Sequence, residues 1–487
     1  MPWSEAVTPV RMQRVAVVVP HAALRETLVR IAEAGCVELD RVEGAVPGPA
    51  ARRLQRLEGR PEPAPPATAG LRSAAGQAPV LADSEPDLEV LEQQRSLGLL
   101  AGEAQLEART QGAVVRGEVA ALAGWCPARE VPRLARRLAA AGGALVPLRT
   151  PPGADPPTLL RSTPTASFTP LVATYGTLPY ADVDPSWPAG ISYVVMFGIM
   201  FGDVGHGALL LLGALALRLG RPRGLARFSR LWPFLAGAGL AAMLAGAAYG
   251  EFFGPTGVLP VLWLSPMKSP ARLLAAAVVF GAGLLAVAHG AGAVNRWREG
   301  GPGKALYAAS GCAGLLFFLG LGLSAMGLAL HYQTVAVLGA ALALAGLGLV
   351  AVGLYRATAG GFAGLAETGV RLFDVVVRAG TNTVSFARLA AFGLTHAALA
   401  DLVWRGTIGL AGRGAAGVTG AVVVFVVGTA ASLALEALVA GVQALRLEFY
   451  EIFSRLFETE GRPFRPWHVP SAAAADAERE VTGCSPG

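Results

Sequence analysis

The chain has 487 residues, 53% of them hydrophobic and only 15% charged, a balance too apolar and too charge-poor for a soluble protein. The formal net charge of +6 comes with arginines gathered between apolar runs, which reads as membrane orientation and not as nucleic-acid binding. Cys36, Cys126, Cys312 and Cys484 are too widely spaced for a metal or redox motif, and no cofactor or metal is expected.

Residues 1–165 read as a soluble α/β region. The first fifteen contain no apolar run of the signal-peptide type, so none is expected. Arg14–Val19 is a short β-like run. Leu24, Leu28 and Ile31 then repeat at helical spacing up to Gly35, and Val37–Leu39 is a second strand. Residues 43–86 are rich in Pro, Ala and Gly and read as a loop or a frayed helix pair, while 87–112 are polar and helix-forming. Val115 to Trp125 alternates weakly, Pro127 and Glu130 open a helix to Ala141, and Val146–Leu148 closes the unit. This pattern predicts two small α/β lobes joined by a helical stalk, with one irregular domain as the alternative.

A Pro/Thr-rich connector (166–190) leads into a membrane region at 191–456, followed by a C-terminal tail at 457–487. Apolar runs occupy about 191–217, 231–250, 270–293, 305–329, 333–355, 382–405 and 418–447. Each reaches or approaches the roughly 20 residues that cross a hydrocarbon core. Arg218, Arg221, Arg223, Arg227 and Arg230 mark one cytoplasmic loop. Arg296, Arg298 and Lys304 mark a second, and Arg356, Arg371 and Arg378 a third, whereas 251–269 and 330–332 are charge-poor and fit the outside. If 191–217 is two short spans hinged near Gly202–Asp203, the total is about eight and both termini are cytoplasmic. The alternative is one tilted helix of 27 residues. A helix from 418 to about 456 would be near 58 Å long, so it must tilt or protrude. The expected fold is a multi-span α-helical membrane protein, its last two helices long and tilted, with a cytoplasmic N-terminal α/β arm.

Ionisable groups inside such runs mark function more often than not. Arg388 stands among small and apolar neighbours apart from Ser385, and His396 follows two turns on, on nearly the same face. Asp374 and Arg378 are spaced to pair at the cytoplasmic end. Glu436 and Arg446 lie on the last run, and Glu251 closes 231–250 at its outer end. Asp203 suits a structural role at the hinge. An arginine in low dielectric can hold a partner carboxylate ionised and so drive ion passage. The other reading is a simple pair with an acid of the same subunit.

At this point the motifs are recognisable. The stretch Asn382-Thr-Val-Ser-Phe-Ala-Arg388-Leu-Ala-Ala-Phe-Gly-Leu-Thr-His396 resembles the signature helix of the large membrane subunit of rotary V-type and A-type ATPases, called a or I. Four further stretches agree in order and spacing: Tyr175-Gly176 with Asp184-Pro185; Phe197-Gly-Ile-Met-Phe-Gly-Asp203-Val-Gly-His206-Gly; Tyr249-Gly-Glu251-Phe-Phe-Gly254; and Gln443-Ala-Leu-Arg446-Leu-Glu-Phe-Tyr-Glu451, then Gly461-Arg-Pro-Phe464. The likeness is strong over about 158–467 and weak before it.

What the resemblance implies is a stator that packs against a rotating proteolipid ring, whose midmembrane carboxylate takes an ion from one half-channel and loses it to the other. Arg388 matches the essential arginine, and Arg446 a second arginine that assists it. Glu436 and His396 match the outside half-channel. Asp374 matches a cytoplasmic half-channel acid, although Arg378 stands where a neutral polar residue is the pattern. Ser385 joins the ion-translocation candidates, and Asp203, His206, Glu251 and Asn382 are structural or channel-lining ones. Implied partners are the ring, peripheral stalk subunits reached through the N-terminal arm, the ATP-hydrolysing head and central stalk indirectly, and the bilayer of a prokaryotic plasma membrane. The arm's coiled coil would be much shortened. No Gly-x-x-x-x-Gly-Lys-[Ser/Thr] motif occurs, so ATP chemistry belongs to other subunits. The competing functions are a secondary transporter that binds an anion at Arg388, and an anchoring protein whose charges serve packing. The coupling ion is expected to be H⁺, with Na⁺ as the alternative.

Overall fold

The computed structural model describes residues 8–40, 46–58, 77–151, 154–160, 172, 176–220, 224, 228–229, 231–457 and 460–474. Arg221, Arg223, Arg227, Arg230, Tyr175, Cys484 and parts of the 43–86 stretch lie outside them. The chain divides into two compact units, one of Val10–Leu159 with Gly461–Gly487, the other of Met1–Pro9 with Leu160–Glu460.

The first unit is built on β1 (Met12–Pro20), α1 (Leu24–Ala34), β2 (Glu38–Leu39), α2 (Pro49–Glu58), α3 (Leu88–Gln93), α4 (Leu97–Thr110), β3 (Val114–Arg116), β4 (Val119–Pro127), α5 (Val131–Ala139) and β5 (Ala144–Pro147). The strands form one sheet in the order β2-β4-β1-β5, with β3 on β4. β1 sits centrally, pairing Val15 with Gly124 on one side and Val17 with Leu145 on the other. Strands assigned by sequence to separate lobes therefore interleave, and the two-lobe expectation is corrected. The reason is visible in β1, where Val15, Val17 and Val19 are all buried and fill one face under α1 and α5. Arg25 of α1 ties down α4 through two short bonds to Glu103, at 2.6 and 2.7 Å. The C-terminal residues belong to this unit: Trp467 N–H donates to the Val37 carbonyl and Leu81 N–H to that of Pro470, each at 2.9 Å. Trp467 and Val469 are part of its core.

The second unit contains α6 (Ser186–Met200), α7 (Val204–Arg218), α8 (Trp232–Tyr249), α9 (Pro270–Tyr307), α10 (Cys312–Ala329), α11 (Gln333–Arg356), α12 (Gly361–Ser385), α13 (Ala387–Ala411) and α14 (Gly414–Leu447), which continues as a π turn at Glu448–Phe453. Among the described residues, six segments are long and apolar enough to cross a membrane, with α12 and α13 counted as one; α6 and α7 are apolar but shorter. The bundle is a multi-span α-helical membrane domain.

Glycine contacts give the direction of α6 and α7. Along α6, Val194 meets Gly237, Gly198 meets Ala241 and Gly202 meets Ala245 and Tyr249, so α6 runs parallel to α8. Along α7, Val204 meets Gly246, Gly207 meets Met243 and Leu211 meets Gly239, so α7 runs antiparallel to it. The run 191–217 is thus a helical hairpin turning at Phe201–Asp203, and the single tilted helix is excluded. Helices α10 and α11 pack backbone to backbone at Gly320, Gly327, Gly339 and Gly346, where a Cβ would lie only 2.3–2.4 Å from a main-chain nitrogen of the partner helix.

Several boundaries differ from expectation. Helix α9 runs on to Tyr307 through Arg296, Arg298 and Lys304, read as a loop, and only bends at Gly300–Gly301. Residues 361–385, read as part of a charged loop, form an amphipathic helix: Glu367–Arg371 (2.6 Å) and Asp374–Arg378 (2.7 Å) pair along it, while Phe362, Leu365 and Phe373 are exposed. The run 382–405 is split at Phe386. Its ring is fully buried where a Cβ on Gly281 of α9 would stand, and α13 begins after it. Arg388 lies in the first turn of α13, not six residues into a continuous span.

Candidate functional site

Arg388 leaves the start of α13 toward the end of α14. Its Nη2 donates to Glu451 Oε1 at 2.8 Å. An open pocket of about 660 Å³ lies beside this pair, lined by Ser385, Arg388, Arg446, Phe449, Tyr450 and Glu451 among others. The Arg388 side chain is 26% exposed and that of Glu451 6%, so the charge is neutralised at the pocket wall while the arginine side chain stays partly open to it. A half-buried ion pair of this kind supplies a positive group without leaving it uncompensated. Three expected residues therefore meet here, Arg388, Arg446 and Ser385, whereas Asn382, on the same α12 terminus, bonds elsewhere. With its amide turned so that nitrogen donates to the Arg378 carbonyl (3.2 Å), Asn382 accepts from Arg455 at 3.3 Å.

Two turns further along α13, His396 is buried and its Nδ1 contacts Glu436 Oε2 of α14. The ring of His206 stands edge-on to His396 with centroids 5.3 Å apart. Asp203 accepts from the N–H of His206 (2.9 Å), of Phe253 (3.0 Å) and of Gly254 (2.8 Å), so it caps α7 and clamps the 251–254 loop. Glu251 is buried in that loop, where its carbonyl receives the Val204 N–H at 3.1 Å. Asp374 is not brought to the pocket: it is about half exposed and paired with Arg378.

The pair of Arg388 with an acid of the same subunit, the second of the two readings above, is present, but sequence reasoning did not single out Glu451 for it, nor Glu448, which is fully buried and accepts from the Ser192 hydroxyl at 2.8 Å. It also missed buried Arg296, held by Glu299 at 2.6 Å with Asp182 at 3.9 Å. Acidic residues in an otherwise apolar helix end were the available signal. The π turn moves them out of the 3.6-residue phase that projects from Glu436 and Arg446.

Residues 112–230 and 375–469 match the model of the V-type ATPase 116kDa subunit family. The chain is 29% identical over 374 residues to an A-type ATP synthase subunit I of Halobacterium salinarum, covering 62% of this chain and 50% of that one. It is 26% identical over 376 residues to the A-type ATP synthase subunit I of Thermococcus kodakarensis, covering 71% and 54%. It is 36% identical over 154 residues to the human V-type proton ATPase 116 kDa subunit a 3, covering 28% and 19%. The chain spans about half the length of the archaeal relatives it matches.

Proposed function

We propose, because the chain belongs to the V-type ATPase 116 kDa subunit family, that it is the stator of the membrane sector of a rotary ATPase or ATP synthase and moves protons against a proteolipid ring. The observation that carries this reading is Arg388, held by Glu451 at the wall of an open pocket. A carboxylate on a passing rotor subunit competes with Glu451 for the guanidinium. While it is engaged, its ionised form is favoured and its proton leaves. Glu436 and His396 form the outside half-path, and Ser385 and Arg446 flank the exchange point. Asp374, exposed and paired with Arg378, is a cytoplasmic-side group rather than a pocket wall. The α6–α7 hairpin contributes two crossings, for eight in all, with both termini cytoplasmic. The sheet unit meets the peripheral stalk, and ATP is hydrolysed or made on other subunits.

The test is reconstitution of the assembled complex with Arg388→Ala. ATP-driven proton uptake into vesicles should be abolished while subunit content stays normal. Undiminished uptake in that variant sinks the reading.

A further inference from the structure

Asp203 in the hairpin turn and His206 at the start of α7, three residues apart, come together with the distant His396 on α13. One ligand atom from each lies within 4.8 Å of the other two. All three are at least 98% buried. Nε2 of His206 and Nε2 of His396 lack a hydrogen-bond partner, an arrangement that interiors otherwise avoid, while His206 Nδ1 stands 3.2 Å from Asp203 Oδ1. The Nδ1 of His396 is engaged by Glu436, which leaves Nε2 as its free ligand atom. A carboxylate behind a ligating histidine is the usual outer support of a metal site, fixing both tautomer and ring direction. Three backbone N–H groups fix the Asp203 carboxylate, and its remaining lone pairs stay available.

The donor set names the ion class. Two imidazoles and one carboxylate suit a borderline transition metal such as Zn²⁺ with one position open, whereas Ca²⁺ and Mg²⁺ ask for more oxygens. The charge also closes. A dication with the Asp203 and Glu436 carboxylates and two neutral imidazoles sums to zero, the condition a low-dielectric interior favours. The rings of Phe201 and Phe253, with centroids 5.6 and 5.4 Å from that of His206, wall the site with apolar surface.

We propose that Asp203, His206 and His396 form a binding site for a Zn²⁺-class divalent ion, with Glu436 orienting His396. Binding pins the hairpin turn to α13. Because the ion occupies His396 Nε2, it also plugs the outside half-path; this second clause rests on the function proposed above.

The purified full-length chain is titrated with Co²⁺ in detergent. One Co²⁺ per chain with the intense visible absorption of four-coordinate cobalt, displaced by Zn²⁺, is the expected result. Glu436→Gln should weaken binding by about 10–100-fold, and His206→Gln should weaken it further, while His331→Gln and His468→Gln bind as wild type. Variants are compared only where their melting temperature shows a folded chain. X-ray absorption of the Zn²⁺ form reads the ligands independently: nitrogen and oxygen neighbours support the site, and a sulfur shell overturns it. Six-coordinate cobalt, or unchanged binding in folded His206→Gln, overturns it as well. In the assembled complex, Zn²⁺ should lower proton uptake at the concentrations that fill the site. Filling without inhibition leaves the metal site standing and refutes the plug, whereas loss of uptake in Arg388→Ala is decided separately.

Discussion

Glu451→Gln removes the charge that faces Arg388 while keeping an acceptor at the same reach. At 2.8 Å two unit charges attract by about 6 kcal/mol at an effective dielectric of about 20. Desolvation offsets much of this, and breaking a buried pair costs about 3–5 kcal/mol. Arg388 is 26% exposed on an open pocket, so solvent screening lowers the loss further. Glutamine still accepts a hydrogen bond, and a charged bond exceeds a neutral one by only about 1–2 kcal/mol. That difference reduces the population of the guanidinium position seen here by about tenfold, since about 1.4 kcal/mol is a factor of ten. Proton uptake by the assembled complex should fall by a similar factor in Glu451→Gln and further in Glu451→Ala, with Glu451→Asp between wild type and Gln. ATP hydrolysis by the detached head serves as the control for intact catalytic subunits. If Gln and Ala variants both pump within about twofold of wild type, well short of that factor of ten, while Arg388→Ala does not pump, Glu451 does not position the arginine.

Three further outcomes follow from the geometry. Gly339→Ala places a Cβ 2.3 Å from the Ser324 nitrogen; the overpacking should cost about 1–3 kcal/mol and lower the melting temperature in detergent, whereas Gly348→Ala, with nothing within 4 Å, should not. Burial, then the Glu299 carboxylate, push Asp182 up to about 7. The folded chain therefore binds its proton more tightly than the unfolded one, and stability should fall as pH rises from about 4 to 7; Asp182→Asn should flatten that slope, and a slope of opposite sign in the wild-type-minus-Asn difference refutes the assignment. The Cys36 thiol is held below its usual value by the hydrogen bond with Cys126, whose own thiol is raised by that bond and by burial. Mass spectrometry after brief alkylation should find Cys36 modified before Cys126, and Cys126→Ala should slow Cys36; equal rates count against the pairing.

Much of the bundle is legible because its signals are local. Apolar length marks the helices, and the glycines around Asp203 mark a hinge that the fold uses as a hairpin turn. Asp374 and Arg378 pair because four residues is one helical turn. His396 and Glu436 were both singled out, and their contact needed only two apolar helices to be neighbours. What stayed hidden depends on distant chain segments. β1 reads as a strand but gives no hint that β4 and β5 flank it. Trp467 reads as part of a tail, although it fills the core of the sheet unit more than 300 residues from the strands it meets. The helix at 361–385 was hidden because charges interrupt its apolar face, so no continuous apolar run marks it.

The pairing of Arg388 with Glu451 has a specific structural origin. Arg388 and His396 lie eight residues apart on α13, while their partners Glu451 and Glu436 lie fifteen apart. Those intervals rise about 12 Å and about 22 Å in regular helices. Two straight antiparallel helices cannot place both pairs in register. The long arginine side chain spans part of the difference, and the π turn at Glu448–Phe453 absorbs more, since it closes each bond one residue later than an α-turn. It also sets the direction of Glu451. Removing the extra residue would rotate the carboxylate by about 100° around the helix, away from the pocket and toward lipid or the bundle interior. The ionised arginine would then face the pocket without a resting partner. Neither Arg388 nor Glu451 specifies this arrangement alone; the irregular turn between them and α14 does.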